Sequence, residues 1–297
     1  MNRKPNFFIV GAPKCGTTSM YQYLSQHPDI FMSKIKEPHF FGGGRNSYPN
    51  TSWGDYLSLF NDAIHEKCIG EASTRYLYSE DACKRIHKHD ANAKIIIMLR
   101  NPVDMIYSWH AQLLWNCVED EKDFRCALEL ETKRRNGLHM PKTKKADLQD
   151  WRLMYRACGC YSAHVKRYLE MFGKDRLHII IFENFVQNTK VVYQELLEFF
   201  EVDSCFVPEL PVANPNKYPR WWPIQQWIQT SESFPKKMIL RFVPQRIRRF
   251  ANKLTYYKQQ RPPMPEDLRI ELTEYFSDDV MKLEKLINID LSVWKAL

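Results

Sequence analysis

The chain has no apolar run approaching the length that spans a bilayer. It has no internal repeat and no low-complexity segment. Its eight cysteines include no C-x-x-C pair, which argues against a zinc site and reads as reduced, mostly buried thiols of a cytosolic kind. No cluster of metal-binding carboxylates is evident, and no metal is expected. The first strand begins by Phe7, too early for a signal peptide, so a cytoplasmic protein is expected if Met1 is the native start. The window 236–261 has no acidic residue and nine basic ones. It reads as a solvated basic face or as a patch for peripheral membrane or acceptor contact. What is present is ordinary for a globular protein: 44% apolar and 26% charged residues over 297 positions. The net charge of +8 implies an anionic partner, whether a nucleotide, a nucleic acid, an acidic sugar chain or a membrane surface.

Strand and helix patterns alternate, which implies an α/β fold built on a parallel sheet. Strands are expected at Phe7–Val10, Cys68–Glu71, Lys94–Leu99 and Leu177–Phe182. Helices are expected at Thr17–Gln26, Asp81–His87, Val103–Trp115, Trp151–Phe172, Val191–Phe200, Pro265–Phe276 and Asp279–Ile287. The charged stretch Glu119–Lys145 reads as a helix and an exposed loop. The length admits one large domain or two small ones, and a single domain over 1–297 is expected, with a phosphate loop at 7–20, a second phosphate segment at 94–110 and a basic helical region at 221–297.

The phosphate loop is the strongest signal. An apolar run ends at Gly11, the loop Ala12-Pro13-Lys14-Cys15 follows, and Gly16-Thr17-Thr18-Ser19 opens a helix. Amides and the dipole at a helix start favour an anion. Thr17, Thr18 and Ser19 add hydroxyls, and Lys14 adds a charge. The glycine spacing is that of a nucleotide-binding loop, but Thr17 stands where such loops carry lysine. The alternative is a glycine turn without a ligand. A second cluster, Arg100-Asn101-Pro102, follows the Lys94–Leu99 strand, with Ser108 eight residues after Arg100. Ligands of open α/β sheets bind beyond the carboxyl ends of strands, and arginine suits phosphate.

Together these segments resemble sulfotransferases that use 3′-phosphoadenosine-5′-phosphosulfate (PAPS). The P-K-x-G-T-T loop is similar to their 5′-phosphosulfate loop, and R-N-P-x-x-x-x-x-S to their 3′-phosphate site. Lys36-Glu37-Pro38-His39-Phe40-Phe41, Gly70-Glu71-Ala72-Ser73 through Tyr76, Phe172-Gly173-Lys174-Asp175-Arg176, Phe182-Glu183-Asn184-Phe185 and Asn216-Lys217-Tyr218-Pro219-Arg220 resemble further elements of the bacterial and heparan-type branch. The likeness spans most of 7–220 and thins to the terminal Leu291-Ser292-Val293-Trp294. Thr74-Arg75 replaces the proline that usually follows the serine of the glutamate element, and the last third has only Cys205 where that branch carries a disulfide.

The resemblance implies a P-loop-type three-layer α/β fold, a central parallel sheet flanked by helices. It implies sulfuryl transfer from PAPS to a hydroxyl or amine of a small-molecule or carbohydrate acceptor, releasing 3′,5′-adenosine bisphosphate (PAP). It assigns Pro13, Lys14, Cys15, Gly16, Thr17, Thr18, Ser19, Arg100, Ser108, Tyr161, Lys217 and Arg220 to the nucleotide. Lys14 would neutralise the leaving phosphate. Glu71 would be the base, kept ionised by Lys14 and Lys36, with His39 as the rival and Lys36 as a contact to the sulfuryl group or the acceptor. An ATP-dependent P-loop kinase and a non-catalytic anion- or membrane-binding protein remain open as alternatives. Neither nucleic acid nor a membrane span is expected, and the oligomeric state is not legible.

Overall fold

Five short segments, mostly apolar, pair into one parallel sheet: β1 (Phe7–Gly11), β2 (Ile30–Met32), β3 (Cys68–Ala72), β4 (Lys94–Leu99) and β5 (Leu177–Ile181). The order is β2-β3-β1-β4-β5. Every residue of β1 and β3 is buried, as strands covered on both faces require. Phe7 pairs with Gly70 across β1 and β3, and a Cβ on Gly70 would stand 2.5 Å from the Phe7 ring, so glycine is demanded there. The computed structural model describes residues 3–42, 52–141, 151–210 and 262–295, together with the backbone of a short antiparallel pair, Tyr218–Pro219 with Tyr256–Tyr257.

Among the described residues, the helices are α1 (Thr17–Leu24), α2 (Trp53–Ser58), α3 (Glu80–His89), α4 (Pro102–Trp115), α5 (Phe124–Arg135), α6 (Tyr155–Gly159), α7 (Ser162–Phe172), α8 (Phe182–Gln187), α9 (Thr189–Phe200) and α10 (Glu266–Ile287). The α/β fold with a parallel sheet flanked by helices is as expected. Most boundaries shift by a residue or two, and three differences have an identifiable reason. The expected helix Trp151–Phe172 is a 3₁₀ turn at Trp151–Leu153 followed by α6 and α7, which break at Gly159, a residue that favours helix ends. The two helices expected beyond Pro265 are one, because Ser277 satisfies its hydroxyl on the Glu274 carbonyl at 2.8 Å without leaving the helix. The last strand stops at Ile181, and Phe182 opens α8. Among the described residues, no helix is long and apolar enough to cross a membrane.

Contacts divide the chain into two compact units. The first, Met1–Met105 with Cys160–Ala213 and Glu274–Ala296, contains the whole five-stranded sheet. The second is Ile106–Gly159 with Asn214–Thr273 and Leu297. Its described part is organised by buried charge. Glu119 and Arg134 form a bidentate pair at 2.6 and 2.7 Å, joined by the Tyr155 hydroxyl at 2.8 Å. Glu131 accepts the amides of Arg156 and Ala157 at the start of α6. The charged stretch after Glu119 is therefore not merely a solvated surface. All eight cysteines are free thiols, five of them buried.

Candidate active site

The strand order creates a crevice. From β1 the chain runs toward β2 at one edge, and from β4 it runs toward β5 at the other. The connections leaving adjacent β1 and β4 therefore diverge beyond their carboxyl ends, where open α/β sheets bind ligands. The Lys14 loop follows β1, and Arg100 follows β4. Ala12 N–H donates to the Met98 carbonyl at 2.7 Å and ties the loop to β4.

The loop presents backbone to the crevice. Gly16 is the N-cap of α1 in the left-handed region (φ 85°), with no side-chain cap and no acid in the first turn. The first amides of α1 are thus left for an anion. Lys14 also has a positive φ, 63°. The Cys15 side chain turns inward, its thiol 3.3 Å from the Pro13 carbonyl, and burial pushes its pKa up, so it stays neutral. Thr17 is buried, while Thr18 and Ser19 are half-buried.

Across the crevice, the Arg100 guanidinium lies over the Phe182 ring at 4.8 Å. Its Nε is buried and has no hydrogen-bond partner. A buried N–H left without an acceptor calls for an explanation, and an anionic group supplies one. The fully buried Tyr161 hydroxyl stands by the Cys15 thiol, with Arg100 and Glu183 nearby. These residues fit a nucleotide phosphate. Ser108 is buried in the body of α4.

The glutamate element folds into a cage. Glu71 is 0% exposed, and its carboxylate accepts the hydroxyls of Tyr56 at 2.7 Å, Ser73 at 2.6 Å and Tyr76 at 2.9 Å. Two of these hydroxyls also accept backbone amides: Ser73 that of His39 at 3.0 Å, and Tyr76 that of Phe41 at 3.1 Å. Glu71 therefore anchors the Lys36–Phe41 element. It was expected to be held ionised by lysines. Instead, burial raises its pKa to about 7 against the pull of the hydroxyls, and Lys36 pairs with Glu37 at 2.9 Å.

Glu37 is the accessible carboxylate of this cluster. Lys36 Nζ bonds its Oε1, and His39 Nε2 stands 3.1 Å from its Oε2. Burial alone would raise its pKa, but His39 and Lys36 outweigh that and hold it at about 2. Burial lowers the His39 pKa despite Glu37, so the imidazole is neutral near pH 7 and its Nε2–H faces the carboxylate. Glu37 and His39 both hold positive φ on either side of Pro38, a strain typical of functional sites. Thr74 links this cluster to the loop. Its hydroxyl is 3.4 Å from Glu37 Oε1, and its carbonyl lies where a Cβ on Gly11 would meet it at 3.0 Å.

The sulfotransferase domain family matches residues 4–210. The chain belongs to that family. It is 26% identical to carbohydrate sulfotransferase 15 of Homo sapiens over 75% of this chain and 50% of that protein. It is also 26% identical to bifunctional heparan sulfate N-deacetylase/N-sulfotransferase 4 of Mus musculus, over 96% of this chain and 30% of that protein. The chain thus spans half or less of the length of these relatives. The crystal structure of a sulfotransferase from Alicyclobacillus acidocaldarius is 32% identical and covers 99% of this chain and 100% of its own, with a TM-score of 0.74.

Within this sulfotransferase fold, Pro13 to Ser19 follow β1 and Arg100 follows β4, with Tyr161 near Cys15 and Arg100, while Lys36 and His39 flank Glu37 next to the carboxyl end of β3, the strand that carries Glu71. Lys217, Arg220 and the side chains of the basic window 236–261 lie outside the described residues. Sequence reasoning gave Glu37 no role. The signal was there in the cations flanking it, Lys36 and His39. Nor does the sequence mark a role for Asn101, Phe182, Glu183 or Trp294, whose contacts with one another and with Arg100 join distant parts of the chain.

Proposed function

We propose that this chain transfers a sulfuryl group from PAPS to a hydroxyl or amine of a carbohydrate or small-molecule acceptor, releasing PAP. The observation that carries the donor assignment is the buried, unpartnered Arg100 Nε across the crevice from the uncapped start of α1. The acceptor class is supported by the relatives whose names specify carbohydrate and heparan sulfate, and by a net charge of +8 that suits an anionic sugar chain.

When bound, PAPS supplies the sulfuryl group on a phosphate leaving group. Lys14 and the α1 amides bind that phosphate and stabilise the charge it gains as the sulfur–oxygen bond breaks. Arg100 holds the 3′-phosphate on the other side of the crevice. Glu37 takes the acceptor proton as the new oxygen–sulfur or nitrogen–sulfur bond forms. Its low pKa keeps it ionised, His39 orients it, and in a loose transition state the proton moves late. Glu71 positions the segment that carries both.

The test is a thermal-shift titration with PAP, beside ATP with magnesium, using Lys14→Ala and Arg100→Ala as controls. PAP at a hundred times its Kd should add about 2.7 kcal/mol, and both variants should blunt the shift. A response to ATP with magnesium alone would replace this reading with a kinase.

A further inference from the structure

Two stretches of the sequence carry no step of this mechanism: Phe182-Glu183-Asn184-Phe185 at the start of α8, and Leu291-Ser292-Val293-Trp294 after α10. The fold brings both against the turn that bears Arg100. Glu183 Oε1 accepts the Asn101 amide at 3.0 Å, and its Oε2 accepts the Trp294 indole N–H at 2.9 Å. The Asn101 side-chain amide donates to the Trp294 carbonyl at 3.3 Å. The Trp294 ring, 3% exposed, packs on Tyr161 with centroids 6.2 Å apart. Phe182, one residue before Glu183, supports the guanidinium itself.

An arginine is a long side chain whose bidentate use depends on where its backbone starts. Here the peptide after Arg100 is pinned by one carboxylate, and that carboxylate is oriented by an indole from a distant part of the chain. We propose that Glu183 and Trp294 are positioning residues that hold Arg100 for the 3′-phosphate of the donor. The inference rests on the sulfotransferase reading above. Because the lock bears on Asn101, its loss should weaken the 3′-phosphate contact and spare the 5′ side.

The test is calorimetric titration of the full chain with PAP and with adenosine 5′-monophosphate, which lacks the 3′-phosphate. The variants are Trp294→Phe, which removes the indole N–H and keeps a ring, Glu183→Gln, Arg100→Ala and the double variant Arg100→Ala with Trp294→Phe. Each lock variant should lose about tenfold in PAP affinity, on the scale of one charge-assisted hydrogen bond. Monophosphate affinity should stay within about twofold, and Trp294→Phe should add nothing once Arg100 is gone. Equal weakening toward both ligands, unchanged PAP affinity, or an additive double variant would overturn the proposal while leaving the donor assignment standing. Should Glu183→Gln fail to fold, Trp294→Phe decides alone. A wild-type protein that binds no PAP would instead bring down the sulfotransferase reading, and this inference with it.

Discussion

Two glutamates at β3 differ in what surrounds them, and that difference separates the roles proposed for them. Glu71 accepts three hydroxyls and is sealed from solvent, whereas Glu37 keeps part of its carboxylate open between Lys36 and His39. Glu37→Gln should therefore bind PAP normally and lose a hundredfold or more in turnover, roughly the worth of a general base. Glu71→Gln keeps the shape of the neutral carboxyl and should stay within about tenfold of wild-type turnover. Steady-state kinetics with a sulfated-product readout would return the base role to Glu71 if the ranking were reversed. Glu71 should also leave a mark on stability. Its folded-state pKa is raised from 4.5 to about 7, by burial above all. Between those values the unfolded chain has released a proton that the fold retains, so its contribution to stability falls as pH rises through that window. Melting curves from pH 4.5 to 7.5 should show wild type losing ground to Glu71→Gln, and parallel curves would contradict the assignment.

Among the elements, α8 is the short helix on which the phosphate site leans. A Cβ on Gly16 would meet the rings of Phe185 at 3.1 Å and Phe182 at 3.2 Å, at a φ of 85° that L side chains rarely adopt. Gly16→Ala should therefore force the loop away from α8, costing about 1 kcal/mol or more in stability and weakening PAP binding more than the loss of any one loop hydroxyl. Titration of Gly16→Ala beside Thr18→Ala would check that order. None of this packing was legible in the sequence, whereas β1 and β4 were, because a run such as Ile95-Ile96-Ile97 suits only a buried segment. Strand β2 has three residues, too few for any period to show. The loop and Arg100 were readable because their chemistry is local, a glycine turn and a charge at a strand end. The Glu71 cage was half-readable: Ser73 and Tyr76 lie in the same short motif, but Tyr56 comes from a separate helix. The part played by Glu183 and Trp294 was hidden because their partners are 82 to 193 positions away.

At the scale of the whole molecule, stability is drawn from two different kinds of core. The sheet-bearing unit is built on apolar strands, whereas the described part of the second sets a buried ion pair among its apolar residues, so a single charge change there strands the partner charge. Arg134 and Glu119 have side chains 1% and 0% exposed. Beyond the arginine, Glu119 accepts the Tyr155 hydroxyl and the amides of Asp120 and Glu121. Arg134→Met would leave that carboxylate buried without its counterion. Breaking such a pair from one side costs about 3–5 kcal/mol, a large part of the ~5–15 kcal/mol that holds a typical domain folded. The melting temperature of the full chain should fall on the order of 10 °C, while Arg134→Met combined with Glu119→Leu should recover much of the loss because no orphan charge remains. The acid limb should change as well. Burial opposes ionisation of Glu119, but Arg134 outweighs it and lowers the pKa. The pair's contribution is therefore present above the ordinary carboxylate range and lost as pH falls through the folded-state value. Wild type should lose stability steeply on acidification, and Arg134→Met should not share that slope. A single variant that melts with wild type would mean that water reaches Glu119 and that the second core rests on its apolar contacts after all.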